Sequence, residues 1–441
     1  MLPNILNTEE GNMKKFTIFA FMLVVLLPIV SYAGSATSRW DLNIGGHVKF
    51  DAGWASQAQG GDYWWASPES VTGNVNIVDE YSNSFMASGE TRLSFAVKGP
   101  EAWGAKTSAF IEGDFRQTGA YEAFRLRHAY LRLNWKNTQL TIGQTNSIWA
   151  SMGTFNVLGI NEMEMAQFGR IPQITVKTKF MKNWSITYGL VSSYKSSTAG
   201  GASASTGVPA VANQQSIFSM PFFEGALDYE SDSLGKIGPR KLTFGLGGFV
   251  GQYKIARRSG AAGTYWKDDD VSSWGLAFRG FVPIIPEKKS NKAGSLALTG
   301  VVLIAQGPTG CWCPVSIYDG YIRASSIDAA GNFEARTPTM SSGWGELTYY
   351  FANNIFANFL YGTTTWNYSS TVSSDLRYMN SNRPKTLQHY IVNLMYDVNP
   401  AIRLGIEYTH VTTGWTRVQA AGSGGRSGSL DAARIGVYYF F

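Results

Sequence analysis

Leu42–Trp54 reads LNIGGHVKFDAGW. Leu42, Ile44, Gly46, Val48, Phe50, Ala52 and Trp54 are apolar or small, while Asn43, Gly45, His47, Lys49 and Asp51 fall between them. In an extended chain successive side chains point to opposite faces, so this alternation gives one apolar face and one polar face. It holds over thirteen residues. An ordinary strand has about 5–6 residues, and one that crosses a bilayer at a tilt has about 9–11. The stretch therefore predicts a membrane-spanning strand.

The same period recurs along the chain. Leu93, Phe95 and Val97 alternate with Arg92, Ser94 and Lys98, and Thr107, Ala109 and Ile111 with Lys106, Ser108 and Glu112. Ile174, Val176 and Thr178 alternate with Thr175, Lys177 and Lys179. Further apolar rows are Leu242–Val250, Trp274–Phe278, Leu296–Ile304, Ile355–Tyr361, Tyr390–Tyr396, Ile402–Tyr408 and Ile435–Phe441. Between these segments short connections (99–104, 136–138, 181–183, 352–354, 398–401) and medium ones (231–240, 283–293) alternate with long ones (55–83, 145–173, 192–220, 254–270, 307–340, 365–385, 411–429). Only 116–123 is short on the long side. Short turns at one end and long loops at the other are the two-sided pattern of a transmembrane antiparallel β-barrel. Counting hairpins gives an all-β chain of about sixteen strands, with both termini on the short-turn side. Trp184, Tyr229, Phe351, Tyr396, Tyr439 and Phe441 fall at strand ends, where an interfacial girdle needs aromatics.

Composition agrees. Of 441 residues only 15% are charged and 44% are hydrophobic, with 48 Gly, 25 Phe, 22 Tyr and 14 Trp. Such a balance argues against disorder, coiled coil and a typical α/β enzyme. Mean hydropathy of −0.11 excludes a polytopic helical membrane protein. At the N-terminus, Lys14 and Lys15 precede an apolar run from Phe16 to Val30, followed by Ser31-Tyr32-Ala33. This is the order of a secretory signal peptide. The expectation is a signal peptide over 1–33, with Met13 an alternative start, and a mature barrel over 34–441. The run is shorter than the ~20 residues of a spanning helix and Pro28 interrupts it.

Thr91–Phe115, TRLSFAVKGPEAWGAKTSAFIEGDF, resembles the second hairpin of the Gram-negative general porins. Phe124–Gln144, FRLRHAYLRLNWKNTQLTIGQ, resembles their next hairpin, with Gln144 where that family usually has Arg. The terminal Phe441, with aromatic or apolar residues at alternate positions before it, is similar to the family's assembly signal. Within the superfamily the chain is similar to the DcaP-like type, trimeric channels for small anionic solutes. The resemblance implies the outer membrane of a Gram-negative bacterium, a homotrimer in outer-membrane lipid, and passage of small hydrophilic solutes. It also implies a third loop, 145–173, that folds into the barrel. Two features depart from the family: the second outer loop is only Arg116–Ala123, and its "PEFGG" sequence is absent from the third loop.

The third loop carries Glu162 and Glu164 among Met152, Phe155, Val157, Leu158, Ile160, Met163, Met165 and Phe168. A loop so apolar belongs against protein rather than in bulk water. The nearest strands carry Arg92, Arg125, Arg127 and Arg132. Charges facing lipid at midplane cost about 2–4 kcal/mol, so the lumen is favoured for them. Arg125 and Arg127 share one parity and Arg132 has the other, which requires a bulge or a rim position. These six residues are the candidate pore constriction: a basic wall facing acidic loop residues sets up a transverse field that sorts ions by sign. The alternative is that the arginines simply hold the loop. Lumen-parity charges lean basic by thirteen to ten, too little to fix ion selectivity.

No cofactor or metal site is expected. Cys311-Trp312-Cys313 is too closely spaced for a relaxed disulfide. His389 and His410 fall where two adjacent strands would bring them together near the outer rim, but two ligands are too few for a structural metal. Basic residues are scattered, so nucleic acid is not a partner. The function expected is a passive porin and not an enzyme. The alternatives are an outer-membrane barrel enzyme and the barrel of an electron-transfer conduit. A plugged transporter does not fit, because Leu42 opens a strand too soon after Ala33.

Overall fold

The computed structural model describes residues 40–58, 65–70, 77–115, 124–152, 156–159, 169–192, 203–204, 214–217, 220–259, 265–307, 321–322, 330–367, 384–415 and 427–441. Outside them fall the expected signal peptide 1–33, residues 116–123, Glu162, Glu164, Cys311 and Cys313. The chain divides into Met1–Asp41 and a unit Leu42–Phe441 that holds the barrel.

Sixteen strands close into one antiparallel barrel among the described residues. They are β1 Asp41–Ala55, β2 Arg92–Lys98, β3 Lys106–Asp114, β4 Arg125–Asn134, β5 Thr138–Asn146, β6 Arg170–Lys179, β7 Trp184–Val191 and β8 Phe222–Ile237. The second half is β9 Arg240–Ser259, β10 Tyr265–Ile285, β11 Leu296–Gln306, β12 Thr339–Tyr350, β13 Ile355–Asn367, β14 Pro384–Asp397, β15 Ile402–Trp415 and β16 Ser427–Phe440. Closure pairs β1 with β16, from His47↔Phe440 to Ala55↔Ala432. Phe441 finishes the seam: its N–H and C=O both bond to Gly46, at 3.2 and 3.1 Å. Asn83–Ala87 extends the pairing on the other edge of β1.

Alternation decides which way each side chain points. On β15, Leu404, Ile406 and Tyr408 are exposed, and Gly405, Glu407, Thr409 and Val411 between them are buried. The outward rows of β9–β11 and β14–β16 are likewise exposed and apolar. Trp184, Phe351, Tyr396, Tyr439 and Phe441 are exposed at the short-turn end, and Trp54, Trp274, Tyr390 and Tyr408 near the other. An apolar outer band between two aromatic girdles is what a bilayer requires of a barrel. Among the described residues no helix is long and apolar enough to cross a membrane.

Two connections differ from expectation. Residues 254–270 are mostly strand: β9 and β10 run for 20 and 21 residues and leave only 260–264 between them. Their outer parts carry Lys254, Asp268 and Asp270. A hairpin that projects beyond the bilayer has no lipid face, so no apolar row marks it in the sequence. Residues 231–237 also belong to a strand, β8, which bulges between Ser231 and Lys236 before a tight turn at 238–239.

Candidate functional site

The inner wall of β2–β4 carries a charge cluster. β3 and β4 are antiparallel neighbours, and their register sets Asp114 opposite Arg125. The Arg125 guanidinium donates to both Asp114 carboxylate oxygens, from Nε at 2.8 Å and Nη2 at 2.6 Å. Arg127 donates from Nε to Glu112 at 2.6 Å and from Nη1 to Asp114 at 2.7 Å. Arg92 lies across from Asp114 on the other side. Its Nε is buried with no hydrogen-bond partner among the described residues. Arg170, opening β6, interacts electrostatically with Arg127, Arg125, Arg92 and Asp114. Four guanidiniums thus gather around Glu112 and Asp114, two of them bonded to these carboxylates, and even with Glu90 beside Arg92 the described cluster keeps a positive balance.

The parity change on β4 is a bulge, with the register shifting between Glu112 and Gly113. It lets Arg125, Arg127 and Arg132 all face inward. Arg132 is nevertheless apart from the other three. It lies five residues farther along β4, about 16 Å at strand rise, where its guanidinium covers the Tyr130 ring at 4.4 Å and Nε approaches Thr141.

The connection from β5 to β6 lies against the inner wall at two described places. At the first, the Ser147 hydroxyl and the Ile148 N–H donate to Glu224 of β8, at 2.9 and 2.8 Å. Arg279 of β10 donates to the carbonyls of Ile148 and Trp149, both at 2.8 Å, and is itself held by Asp228 at 2.6 Å. Gly247 makes room: a Cβ there would stand 2.1 Å from the Trp149 carbonyl oxygen. The Trp149 ring is fully buried, edge-on to Phe249 at 4.8 Å.

At the second place, Glu407 of β15 accepts the N–H groups of Leu158 and Gly159, at 2.6 and 2.9 Å. Lys49 donates to the Leu158 carbonyl at 2.5 Å and ion-pairs with Asp51 and Glu90. Asn358 and Asn393 donate to the Asn156 carbonyl, at 3.2 and 2.5 Å. The Leu158 side chain is buried with Phe356 and Met395 over Gly405. These wall residues form a row, because the register aligns Asn358 with Asn393, Asn393 with Glu407 and Glu407 with Arg434.

Of the six candidate residues, Arg92, Arg125 and Arg127 come together, Arg132 does not join them, and Glu162 and Glu164 lie outside the described residues. Reasoning from sequence missed Arg170, Asn358 and Asn393, and it gave Glu224, Arg279 and Glu407 the lumen side without their part in holding the loop. It also left out the pairing of Arg125 and Arg127 with Glu112 and Asp114. That pairing was readable, since both carboxylates and both arginines flank the same short connection. His389 and His410 are not neighbours: Tyr390 pairs with His410, and His389 is fully buried on the inner side. An offset of one residue puts the two rings on opposite faces of the sheet. Among the described residues no group of His, Cys, Asp and Glu could hold a metal ion.

A sixteen-stranded barrel with short turns, long loops and an inner wall of opposed charges has the porin fold. The solved outer membrane channel DcaP of Acinetobacter baumannii superposes with a TM-score of 0.65 over 92% of this chain and 99% of that one, at 17% identity. An anion-selective porin from Comamonas acidovorans superposes with a TM-score of 0.52 over 91% of this chain and all of that one, at 10% identity. No family model and no curated protein matches the sequence.

Proposed function

We propose that the chain is an outer-membrane porin of a Gram-negative bacterium, a water-filled channel for passive diffusion of small hydrophilic solutes and ions, and not an enzyme. The observation that carries this is the combination of a lipid-compatible outer face with an inner wall that places Arg92, Arg125, Arg127 and Arg170 around two carboxylates. Charged groups held by strands need no rearrangement when a solute passes, so they act as fixed field sources. The third connection folds inward, supported by its bonds to Glu224, Arg279 and Glu407. In this reading Glu162 and Glu164, which lie outside the described residues, face Arg92, Arg125 and Arg127 and so narrow the pore, while Arg132 stands apart. Small anions are the favoured solutes, given the positive balance of the cluster, and the functional unit is a homotrimer in outer-membrane lipid. Planar-bilayer recording with a tenfold KCl gradient tests the reading: stepwise conductance with an anion-leaning reversal potential is expected. A folded barrel that conducts nothing would defeat it and favour a filled barrel, as in an enzyme.

A further inference from the structure

The short turns of the barrel all fall among the described residues, so their charge can be counted. Its seven turns, each taken from the last residue of one strand to the first of the next, span 98–106, 134–138, 179–184, 237–240, 285–296, 350–355 and 397–402. They carry nine basic and three acidic side chains. That excess of six equals the formal charge of the whole chain, +6. The remaining residues are therefore balanced, and the chain's positive charge is concentrated at one end.

The arrangement is a broad collar over five consecutive turns, from β2–β3 to β10–β11, and the last two turns carry no basic side chain. Lys106, Lys136, Lys182, Lys288 and Lys289 come from four different turns, are exposed, and have no side-chain partner among the described residues. Two of the three acidic groups are already engaged, Asp397 by Arg403 at 2.5 Å and Glu287 by the Gly238 N–H at 2.7 Å. Lys106 keeps the inward parity of Ser108 and Glu112, so part of the collar points toward the mouth of the lumen. The cluster around Arg125 lies at the opposite ends of β3 and β4, which makes the collar a separate charge source.

We infer that this collar is a second selectivity element: it captures polyvalent anions at the short-turn mouth, so such anions occupy and block the channel from that side only. The inference rests on the channel reading above. A like-charged rim focuses field lines and raises the local concentration of counter-ions about 10- to 1,000-fold. Its reach is the Debye length, about 10 Å at 0.1 M salt and about 3 Å at 1 M. The arginine cluster toward the far end is set into the barrel wall and partly neutralised by Glu112 and Asp114, whereas Lys106, Lys136, Lys182, Lys288 and Lys289 of the short turns stand exposed without such partners among the described residues.

The test uses single channels of the full-length mature protein in 0.1 M KCl, with tripolyphosphate added to one chamber and then to the other. Block from one chamber only is expected, and it should vanish in 1 M KCl. The quadruple variant K136Q/K182Q/K288Q/K289Q alters only exposed turn residues, and heat-modifiable gel mobility verifies its fold. It should require about tenfold more tripolyphosphate for the same block, the low end of the enrichment expected of such a rim. Equal block from both chambers, or block that the variant leaves unchanged, would overturn the inference while the channel reading stands. A folded wild-type barrel without conductance would overturn both.

Discussion

Replacing Glu407 by Ala should release the third connection at its far attachment. The Glu407 carboxylate accepts two backbone N–H groups, from Leu158 at 2.6 Å and Gly159 at 2.9 Å, in a site where Glu407 is 5% exposed. Hydrogen bonds to a charged group contribute roughly 1.5–3 kcal/mol each, so the pair contributes about 3–6 kcal/mol. Water entering the lumen offsets part of that by solvating the freed N–H groups, which argues for the lower end. At about 1.4 kcal/mol per tenfold, a loss near 3 kcal/mol raises the detached population on the order of a hundredfold. Lys49 and the two asparagines still hold the carbonyls of Leu158 and Asn156, so detachment should be intermittent. Single-channel records should therefore show added open-channel noise and new conductance levels. Glu407→Gln keeps one carbonyl acceptor and should fall between wild type and Ala. Records of Glu407→Ala indistinguishable from wild type would refute the claim that this carboxylate tethers the loop.

Three further outcomes follow from the same geometry. Arg125→Gln with Arg127→Gln should move the reversal potential toward cations, and Glu162→Gln with Glu164→Gln toward anions; no shift from either pair would remove these residues from the constriction. Ile406→Arg puts a charge on the outward row at a residue that is 56% exposed, and near midplane it should cost about 2–4 kcal/mol, seen as a lower denaturant midpoint of the barrel in lipid. Mature protein should begin at or near Gly34 by N-terminal sequencing, and deleting Phe441, which removes both bonds to Gly46, should lower the yield of heat-modifiable barrel.

How much could be read from sequence depends on which interactions are local. Outward faces obey lipid, and lipid imposes the same requirement on every strand. Leu42–Trp54 and Leu404–Tyr408 therefore announced themselves by period alone. The need for a bulge on β4 was likewise visible, because Arg127 and Arg132 could not both face inward on a regular strand. The clamps were not visible. Glu407, Asn393 and Asn358 act together only because register aligns them, and the step from Asn358 to Asn393 is set across a long outer connection whose length says nothing about pairing. Arg170 is hidden for a similar reason, since it reaches the arginine cluster from a strand that follows the whole third connection. The extended hairpin of β9 and β10 was missed because, beyond the membrane, neither face has to be apolar.

The inward faces of β11–β15 hold a different lesson. Val301 and Leu303 point inward beside the outward Val302, so this strand is apolar on both sides. Met340, Trp344, Leu360, Ile391 and Val411 continue the inward row, all buried. Open water in that part of the lumen would leave such a wall without a partner. Instead Trp65, Phe85, Met152, Val157 and Phe333 pack against it. The outer connections thus share a core with the barrel on this side. Inward residues of β2–β6 such as Ser94, Ser108, Gln139 and Lys177 stay half-exposed, and the aqueous route is expected along them. Trp344→Ala separates a packed wall from a wet one. Truncating a large aromatic in a core costs about 3–5 kcal/mol, whereas a side chain lining water costs little. Trp344 is 4% exposed, so the variant should loosen the outer connections and speed their cleavage by added protease while the outward girdle and the barrel remain. Cleavage at the wild-type rate would mean that Trp344 lines the aqueous path and that the pore is wider on this side than the packing implies.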